Sequence, residues 1–229
     1  MTRFDPESLT IMIDGAHSVS GLLMAPAQAR ACYVFAHGAG AGMSHPFMAA
    51  VAAELAARNI ASLRYQFPYM ERGRRRPDPP KLAQATVRGA VSEAGRRLSG
   101  LPLIAGGKSF GGRMTSQAQA VAPLAGVRGL VFLGFPLHPP KRPSDERAKH
   151  LFEVRIPMLF LQGTRDALAH VELIGQTAKR LGERATLHLL ADADHSFHVP
   201  ARSGRTDADV RSEMMDVLVA WIAKVISGP

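Results

Sequence analysis

Short apolar runs alternate with amphipathic segments along most of the chain. Apolar runs bounded by Gly, Pro or Asp predict strands, and apolar positions that recur every three to four residues predict helices. The predicted strands cover residues 9–13, 19–24, 31–36, 60–64, 101–105, 127–133, 156–161 and 185–190. The predicted helices cover residues 47–58, 81–99, a segment from just after Ser109 to about 122, and segments near 170–181 and 208–226. This alternation predicts a mostly parallel, doubly wound sheet of about seven or eight strands, with helices on both faces.

Local signals refine this outline. An Asp14-Gly15 turn separates the first two strands, and Ser44 is the predicted N-cap of the helix 47–58. The last helix carries its apolar face on Val210, Met214, Val217, Leu218, Trp221 and Val225. No internal repeat or change in composition divides the chain, so a single domain spanning residues 1–229 is expected.

The segment Gly107-Lys108-Ser109-Phe110-Gly111 lies between the predicted strand 101–105 and a predicted helix. A G-x-S-x-G pattern in a strand–turn–helix setting is typical of a nucleophile elbow, in which a tight turn exposes the serine hydroxyl. Glycine is needed on both sides because a Cβ there would collide with neighbouring elements. Ser109 is therefore the candidate nucleophile. The alternative is a plain glycine-rich turn.

Two further polar residues follow predicted strands in the order that such a nucleophile requires. Asp166 comes just after strand 156–161, and His195 comes after strand 185–190. The chain order Ser…Asp…His is that of α/β-hydrolases, in which a histidine activates the serine and an acid orients the histidine. His198 is an alternative to His195. Asp192 and Asp194 compete with Asp166, but both lie close to His195 in sequence, which makes it harder for them to orient its ring.

The oxyanion of an acyl-transfer reaction needs two backbone N–H donors. The predicted donors are the Phe110 amide and, in the glycine-rich segment 37–42, the Ala39 amide. His37 is interpreted as a residue that fixes this loop. Lys108, Gly40 and His138 are candidates for the substrate pocket, and a structural role is an equal alternative for His138.

Other chemistries fit less well. A phosphate-binding loop would need a glycine where Pro102 stands, and residues 101–105 read as strand. Asp192, Asp194, His195 and His198 do not have the spacing of a metal site, so neither a metal nor a cofactor is expected. The Pro-rich connection 135–155 is too short for a large lid, which predicts an open or lightly covered site.

Composition bounds the remaining possibilities. The chain has 229 residues and a formal net charge of +9, and residues 64–97 contain nine Lys or Arg against three acids. A solvated basic surface is one interpretation, and attraction of an anionic substrate or a polyanionic partner is the other. Aromatic residues make up only 6%, and no nucleic-acid-binding motif is present, so nucleic acid is not favoured as a partner. We expect the arginines 72, 74, 75 and 76 to border the mouth of the site.

The cellular setting is also constrained. The single cysteine, Cys32, lies in an apolar run, which indicates a buried structural thiol and a reducing compartment. Residues 1–7 do not resemble a signal peptide, and no apolar run is long enough to span a membrane. A soluble, cytoplasmic protein without membrane contact is expected.

Several motifs together resemble one family. They are His37-Gly38-Ala39-Gly40, Pro46-Phe47-Met48, Phe67-Pro68-Tyr69 with the following arginines, Gly107-Lys108-Ser109, Pro136…His138-Pro139-Pro140 and Asp194-His195-Ser196-Phe197. They resemble the α/β-hydrolase superfamily in its small, nearly lidless, dienelactone-hydrolase-like form. More closely, over residues 30–227, they are similar to a poorly characterised family known by its testis-expressed and non-specific-lethal-complex animal relatives. Lys108 departs from most esterases but suits this family.

The resemblance implies a serine hydrolase of the carboxylesterase or thioesterase kind, acting on an ester, thioester or related acyl bond of a small soluble substrate. An anionic substrate is one option. Because the animal relatives include a scaffold subunit, a non-catalytic binding or scaffold protein on the same fold is the alternative.

Overall fold

The computed structural model describes residues 5–15 and 17–228. In these residues, eight strands form one sheet in the order β1-β2-β4-β3-β5-β6-β7-β8. The strands are β1 (Glu7–Met12), β2 (Ser18–Met24), β3 (Cys32–Ala36), β4 (Ala61–Tyr65), β5 (Leu103–Lys108), β6 (Val127–Leu133), β7 (Met158–Gly163) and β8 (Ala185–Leu190). β2 runs antiparallel to β1 and β4, and every other pairing is parallel. The predicted doubly wound, mostly parallel sheet is confirmed.

Helices cover both faces of this sheet. They are α1 (Pro46–Ala57), α2 (Pro68–Glu71), α3 (Pro80–Arg97), α4 (Phe110–Val121), α5 (Val171–Leu181) and α6 (Asp207–Ser227). Leu55 of α1 and Leu218 of α6 belong to the apolar core on one face. Val87 of α3, Met114 of α4 and Ile174 of α5 belong to the core on the other. The central strands β3, β6 and β7 are buried almost throughout, which explains their nearly continuous apolar runs.

The ends of two helices differ from the prediction. The N-cap of α1 is His45 and not Ser44, because Pro46 begins the helix and the His45 ring accepts a hydrogen bond from the Phe47 amide at 3.2 Å. In α6, Val217 and Val225 are only partly buried. Met215 and Ile222 complete the apolar face of α6 instead.

Strand β5 also differs from the prediction. It begins after Pro102 and continues through Gly106 and Gly107 to Lys108, where the apolar run had suggested an end at residue 105. The two glycines remain in the sheet, and Gly107 pairs with Ala36 of β3 and with Phe132 of β6. The turn that carries Ser109 therefore starts at the end of β5, a strand with neighbours on both sides.

The two long connections carry only short helical turns. Residues 66–80, which we call the arginine loop, contain the four-residue α2. The connection from β6 to β7 contains the 3-10 helix Glu146–Glu153, which packs on α4. Between these strands the described chain has no large lid, as predicted. Among the residues described, no helix combines the length and apolar character needed to cross a membrane.

Candidate active site

The elbow, residues 106–112, is shaped by close contact with β3. A Cβ at Gly107 would lie 2.3 Å from the Ala36 carbonyl oxygen, and one at Gly111 would lie 2.6 Å from the His37 carbonyl oxygen. Between them Ser109 adopts φ 50° and ψ −115°, which a residue with a side chain rarely occupies. Such strain costs about 1–3 kcal/mol and persists where the surroundings impose it. The turn brings Ser109 to the start of α4.

Ser109, His195 and Asp166 form a continuous chain of hydrogen bonds. His195 Nε2 lies 2.8 Å from Ser109 Oγ, and His195 Nδ1 lies 2.6 Å from Asp166 Oδ2. A carboxylate accepts from Nδ1–H, which leaves Nε2 free to accept the serine proton. The Asp166 side chain is fully buried, whereas that of His195 is 23% exposed. The structure thus brings the three predicted side chains together in the predicted order.

Asp166 is held by groups that the sequence did not reveal. Its Oδ1 accepts from the Leu168 amide at 2.7 Å, and its Oδ2 accepts from the Gln162 side-chain amide. Gln162 in turn accepts from the Phe135 amide at 2.9 Å. Gln162 is a buried polar residue inside an apolar strand, and that anomaly was the only available signal of its role.

The competing residues have other partners. Asp194 Oδ1 accepts from the amides of Ser196 and His198, at 2.7 and 3.0 Å, and so shapes the loop that carries His195. The His198 ring pairs with Asp207, whose carboxylate raises the pKa of His198. The structure therefore directs both residues away from Ser109.

Lys108 links the elbow to the His195 loop. Its ammonium donates to the His195 carbonyl oxygen and lies 5.0 Å from the centre of the Phe197 ring. That ring stacks on Phe47 at 5.6 Å. Burial lowers the pKa of Lys108 to about 8, with Asp166 and Asp194 opposing the shift. The amine that the sequence suggested for the pocket thus also braces the histidine loop.

Of the two predicted oxyanion donors, Phe110 directly follows Ser109 in the chain, and Ala39 lines the same cavity as Ser109. Within the described residues, neither the Phe110 nor the Ala39 amide donates to another group. His37 fixes the Ala39 loop as predicted: its Nδ1–H donates to the Gly38 carbonyl at 2.7 Å, and its Nε2 accepts from the Phe67 amide at 3.1 Å. Burial lowers the pKa of His37 to about 4, so the ring is neutral at neutral pH.

A cavity of about 350 Å³ opens beside Ser109. Its walls are mostly apolar and comprise Gly38, Ala39, Ala41, His45, Phe47, Met48, Lys108, Ser109, Leu168, His195 and Ser196. Gly40, predicted for the pocket, is not among them; its amide donates to the Tyr69 hydroxyl at 3.1 Å. We call this space the serine cavity.

His138 does not line the serine cavity, which corrects its candidate place in the pocket. Its Nδ1–H donates to the Pro139 carbonyl at 2.9 Å, and its Nε2 accepts from the His170 amide at 3.1 Å. With both ring nitrogens bonded to backbone and the residue buried, His138 has the structural role that was the alternative.

The arginines 72, 74, 75 and 76 do not line the serine cavity either. Arg72 pairs with Asp78 at 3.1 Å, and Arg74 and Arg76 line a second cavity. We expected these arginines to border the mouth of the site. Instead, two of them line a separate, basic pocket. No group of three or more potential metal ligands occurs in the part of the chain that the structure describes.

Residues 29–223 match the family described as Alpha/beta hydrolase domain. The chain belongs to this family. The structure of a dienelactone hydrolase from Anabaena variabilis superposes with a TM-score of 0.78 at 20% identity, over 98% of this chain and 99% of that one. These likenesses confirm the α/β-hydrolase fold.

Two further structures are similar to this α/β-hydrolase. One is a serine hydrolase without a lid from Xanthomonas campestris, with a TM-score of 0.73, 17% identity and coverage of 96% and 97% of the two chains. The other is the esterase domain of a Rhodothermus marinus protein, with a TM-score of 0.71, 15% identity and coverage of 95% and 97%. At these identities they define the fold alone.

Proposed function

We propose that this α/β-hydrolase is a serine hydrolase that cleaves an ester, thioester or related acyl bond. The observation that carries the proposal is the hydrogen-bonded chain from Ser109 through His195 to Asp166, with distances of 2.8 and 2.6 Å. These are the distances at which a base can take a proton from a nucleophile and an acid can orient the base.

The proposed reaction runs in two halves. His195 Nε2 takes the Ser109 proton as Oγ attacks the acyl carbon, and Asp166 stabilises the imidazolium that results. The amides of Phe110 and Ala39 donate to the oxyanion. His195 then gives its proton to the leaving group, which departs and leaves an acyl-serine. In the second half, His195 activates a water molecule that hydrolyses this ester and restores Ser109.

The serine cavity favours a small acyl group. Ala39, Ala41, Phe47, Met48 and Leu168 supply apolar walls, and the Lys108 amine is engaged by the His195 carbonyl. The similarity to a dienelactone hydrolase and to an esterase domain favours carboxylic ester chemistry. We propose a small soluble substrate, a cytoplasmic setting and a single domain over residues 1–229.

A fluorophosphonate probe tests the proposal because it reacts covalently only with an activated serine. We expect labelling of the wild-type protein at Ser109, seen as a mass adduct on the peptide that contains it, and no labelling of Ser109→Ala. A panel of acyl esters of increasing chain length then defines the acyl group. Absence of labelling together with absence of ester cleavage would reject the proposal.

A binding or scaffold role is the second candidate, and the exposed arginines of the arginine loop favour it. Arg74, Arg75 and Arg76 have no acidic partner within the described residues. The resemblance to the testis-expressed and non-specific-lethal-complex family, which includes a scaffold subunit, points the same way. Under this candidate the protein would bind a partner through the arginine loop and leave the fluorophosphonate unreacted.

A further inference from the structure

The second cavity, which we call the arginine cavity, lies under the arginine loop. It has a volume of about 550 Å³ and is lined by Tyr69, Arg74, Arg76, Pro77, Asp78, Pro79 and Pro80. Three prolines restrict the backbone of its wall, since each ring fixes one φ angle. The lining of the arginine cavity shares no residue with that of the serine cavity, so the two are separate.

The arginine cavity carries uncompensated positive charge. Its one carboxylate, Asp78, is buried and already engaged: Oδ2 accepts from the Tyr69 amide at 2.8 Å, and Oδ1 pairs with Arg72 at 3.1 Å. Among the described residues, neither Arg74 nor Arg76 has a carboxylate or hydrogen-bond acceptor as a partner. Two guanidinium groups thus face the same space with their donors free.

The arginine loop is anchored through Tyr69. The Tyr69 carbonyl accepts from the Arg74 amide at 2.8 Å, in a helix-terminating turn that places Gly73 at φ 63°. The Tyr69 amide holds Asp78, so both ends of the cavity wall are attached to one residue. The Tyr69 ring itself is buried against Phe110 at a centroid distance of 6.5 Å.

Tyr69 also contacts the loop that carries a proposed oxyanion donor. Its hydroxyl accepts from the Gly40 amide at 3.1 Å, and Gly40 directly follows Ala39. Gly40 has φ 76°, a conformation that favours glycine, and a Cβ there would meet no atom within 4 Å. One residue therefore connects the arginine cavity with the wall of the serine cavity.

We propose that the arginine cavity binds an anionic group, a carboxylate or a phosphate, through Arg74 and Arg76, and that Tyr69 transmits its occupancy to the Ala39 loop. Guanidinium groups form paired, charge-assisted hydrogen bonds with either oxyanion. The anion can come from the acid-bearing end of the substrate or from a separate small effector. The transmission to the Ala39 loop rests on the proposed function, whereas the binding of the anion does not.

Binding is measured with inorganic phosphate by titration calorimetry at constant ionic strength. We expect the double variant Arg74→Gln/Arg76→Gln to bind phosphate about tenfold more weakly or worse, the scale for losing charge-assisted hydrogen bonds. Arg75→Gln is the matched control, because Arg75 lies between the two and does not line the cavity. The single variants Arg74→Gln and Arg76→Gln complete the comparison, because non-specific attraction would weaken by the same factor in all three single variants, each of which removes one positive charge.

The source of the anion is resolved by two substrates, a neutral acetyl ester and the corresponding ester with a free terminal carboxylate. If the substrate supplies the anion, phosphate raises KM for the carboxylate ester alone. If an effector supplies it, phosphate changes kcat for the neutral ester, and Tyr69→Phe abolishes that change while leaving phosphate affinity intact. Either result supports the anion site, and only the second supports the transmission through Tyr69.

Other results would overturn the anion site or the transmission through Tyr69. Lack of phosphate binding by the wild-type protein, or equal affinity in the double variant and Arg75→Gln, would overturn the anion site. A phosphate effect on kcat that persists in Tyr69→Phe would overturn the transmission. Ser109→Ala should still bind phosphate, so a failure of the proposed hydrolase function is distinguishable from a failure of this site. The arginines are exposed, and circular dichroism verifies that the variants remain folded.

Discussion

The elbow and the arginine loop both follow parallel strands and lie at the same edge of the sheet, but they are built in opposite ways. In the elbow, atoms of β3 approach so closely that Gly107 and Gly111 have no room for a Cβ. In the arginine loop, a Cβ at Gly73 would meet nothing within 4 Å, and Arg74, Arg75 and Arg76 are exposed.

The two regions are therefore suited to two different tasks, the positioning of a nucleophile and the recognition of a charged group. A nucleophile must be held within a few tenths of an ångström of its base, and rigid packing achieves that at the elbow. Recognition of a charged group needs free donors, and a surface loop with unpaired arginines supplies them. We therefore expect substitutions at the elbow to abolish chemistry or folding, and substitutions of the exposed arginines 74, 75 and 76 to alter selectivity with little effect on folding.

Ser109→Ala gives the largest expected effect. Removal of the nucleophile should lower kcat for any ester substrate by up to about 10⁶-fold, because no other group can form the acyl intermediate. Ser116→Ala is the control, since it removes another serine that is hydrogen-bonded to a histidine ring, His150, at 2.8 Å. Steady-state ester hydrolysis provides the measurement, and wild-type activity in Ser109→Ala would disprove the assignment.

Asp166→Asn should lower kcat by about 10⁴-fold, because an amide can donate to His195 Nδ1 and favour the wrong tautomer. The control is Asp192→Asn, an exposed aspartate on the same loop as His195, which should retain the wild-type kcat because it takes no part in the hydrogen bonds that join Ser109, His195 and Asp166. If both variants lost activity equally, Asp166 would have no special role in orienting His195.

Alanine substitutions at Gly111 and Gly73 test whether the elbow is packed more tightly than the arginine loop, through their effects on the free energy of unfolding. Gly111→Ala should lower the free energy of unfolding by about 3 kcal/mol, because the new Cβ would contact backbone atoms at 2.6 Å that cannot move freely. Gly73→Ala should cost only about 1 kcal/mol, the penalty for a side chain at positive φ in open space. Urea denaturation compares the two, and equal losses would contradict the contrast.

The smallest effect concerns electrostatic steering. We expect kcat/KM of a negatively charged ester to fall on the order of a few-fold as salt is raised, since the screening length is only about 8 Å at physiological ionic strength. The value for a neutral ester should stay flat. Arg74→Ala/Arg75→Ala/Arg76→Ala should remove the difference, and equal salt dependence of both esters in the wild-type protein would exclude steering.

Features that depend on neighbours in sequence were predictable. The glycine–serine turn after β5, Asp166 after β7 and His195 after β8 each follow from a strand and the loop attached to it. Because parallel strands present their carboxyl ends at one edge, these three loops had to converge there. The eight strands, and hence the fold, were read from the same local patterns.

Features that depend on distant contacts were not predictable. Gln162 is held by the Phe135 amide, which is 27 residues away, and the Tyr69 hydroxyl accepts from the Gly40 amide, which is 29 residues away. No local pattern specifies such pairs. The sequence likewise placed the arginines at the mouth of the site because they follow a strand, whereas Arg74 and Arg76, after α2 and the turn at Gly73, line a separate cavity.

The short connection between β6 and β7 has a kinetic consequence. In the described chain it provides only the 3-10 helix Glu146–Glu153, so substrate can enter the serine cavity without waiting for a lid to open. In many enzymes that have a lid, the opening of the lid is the step that limits kcat. For the proposed hydrolase, we expect bond making and breaking, and not the opening of a lid, to limit turnover. Its kcat should be insensitive to the viscosity of the solvent, and its rate should not jump when the substrate gathers into micelles.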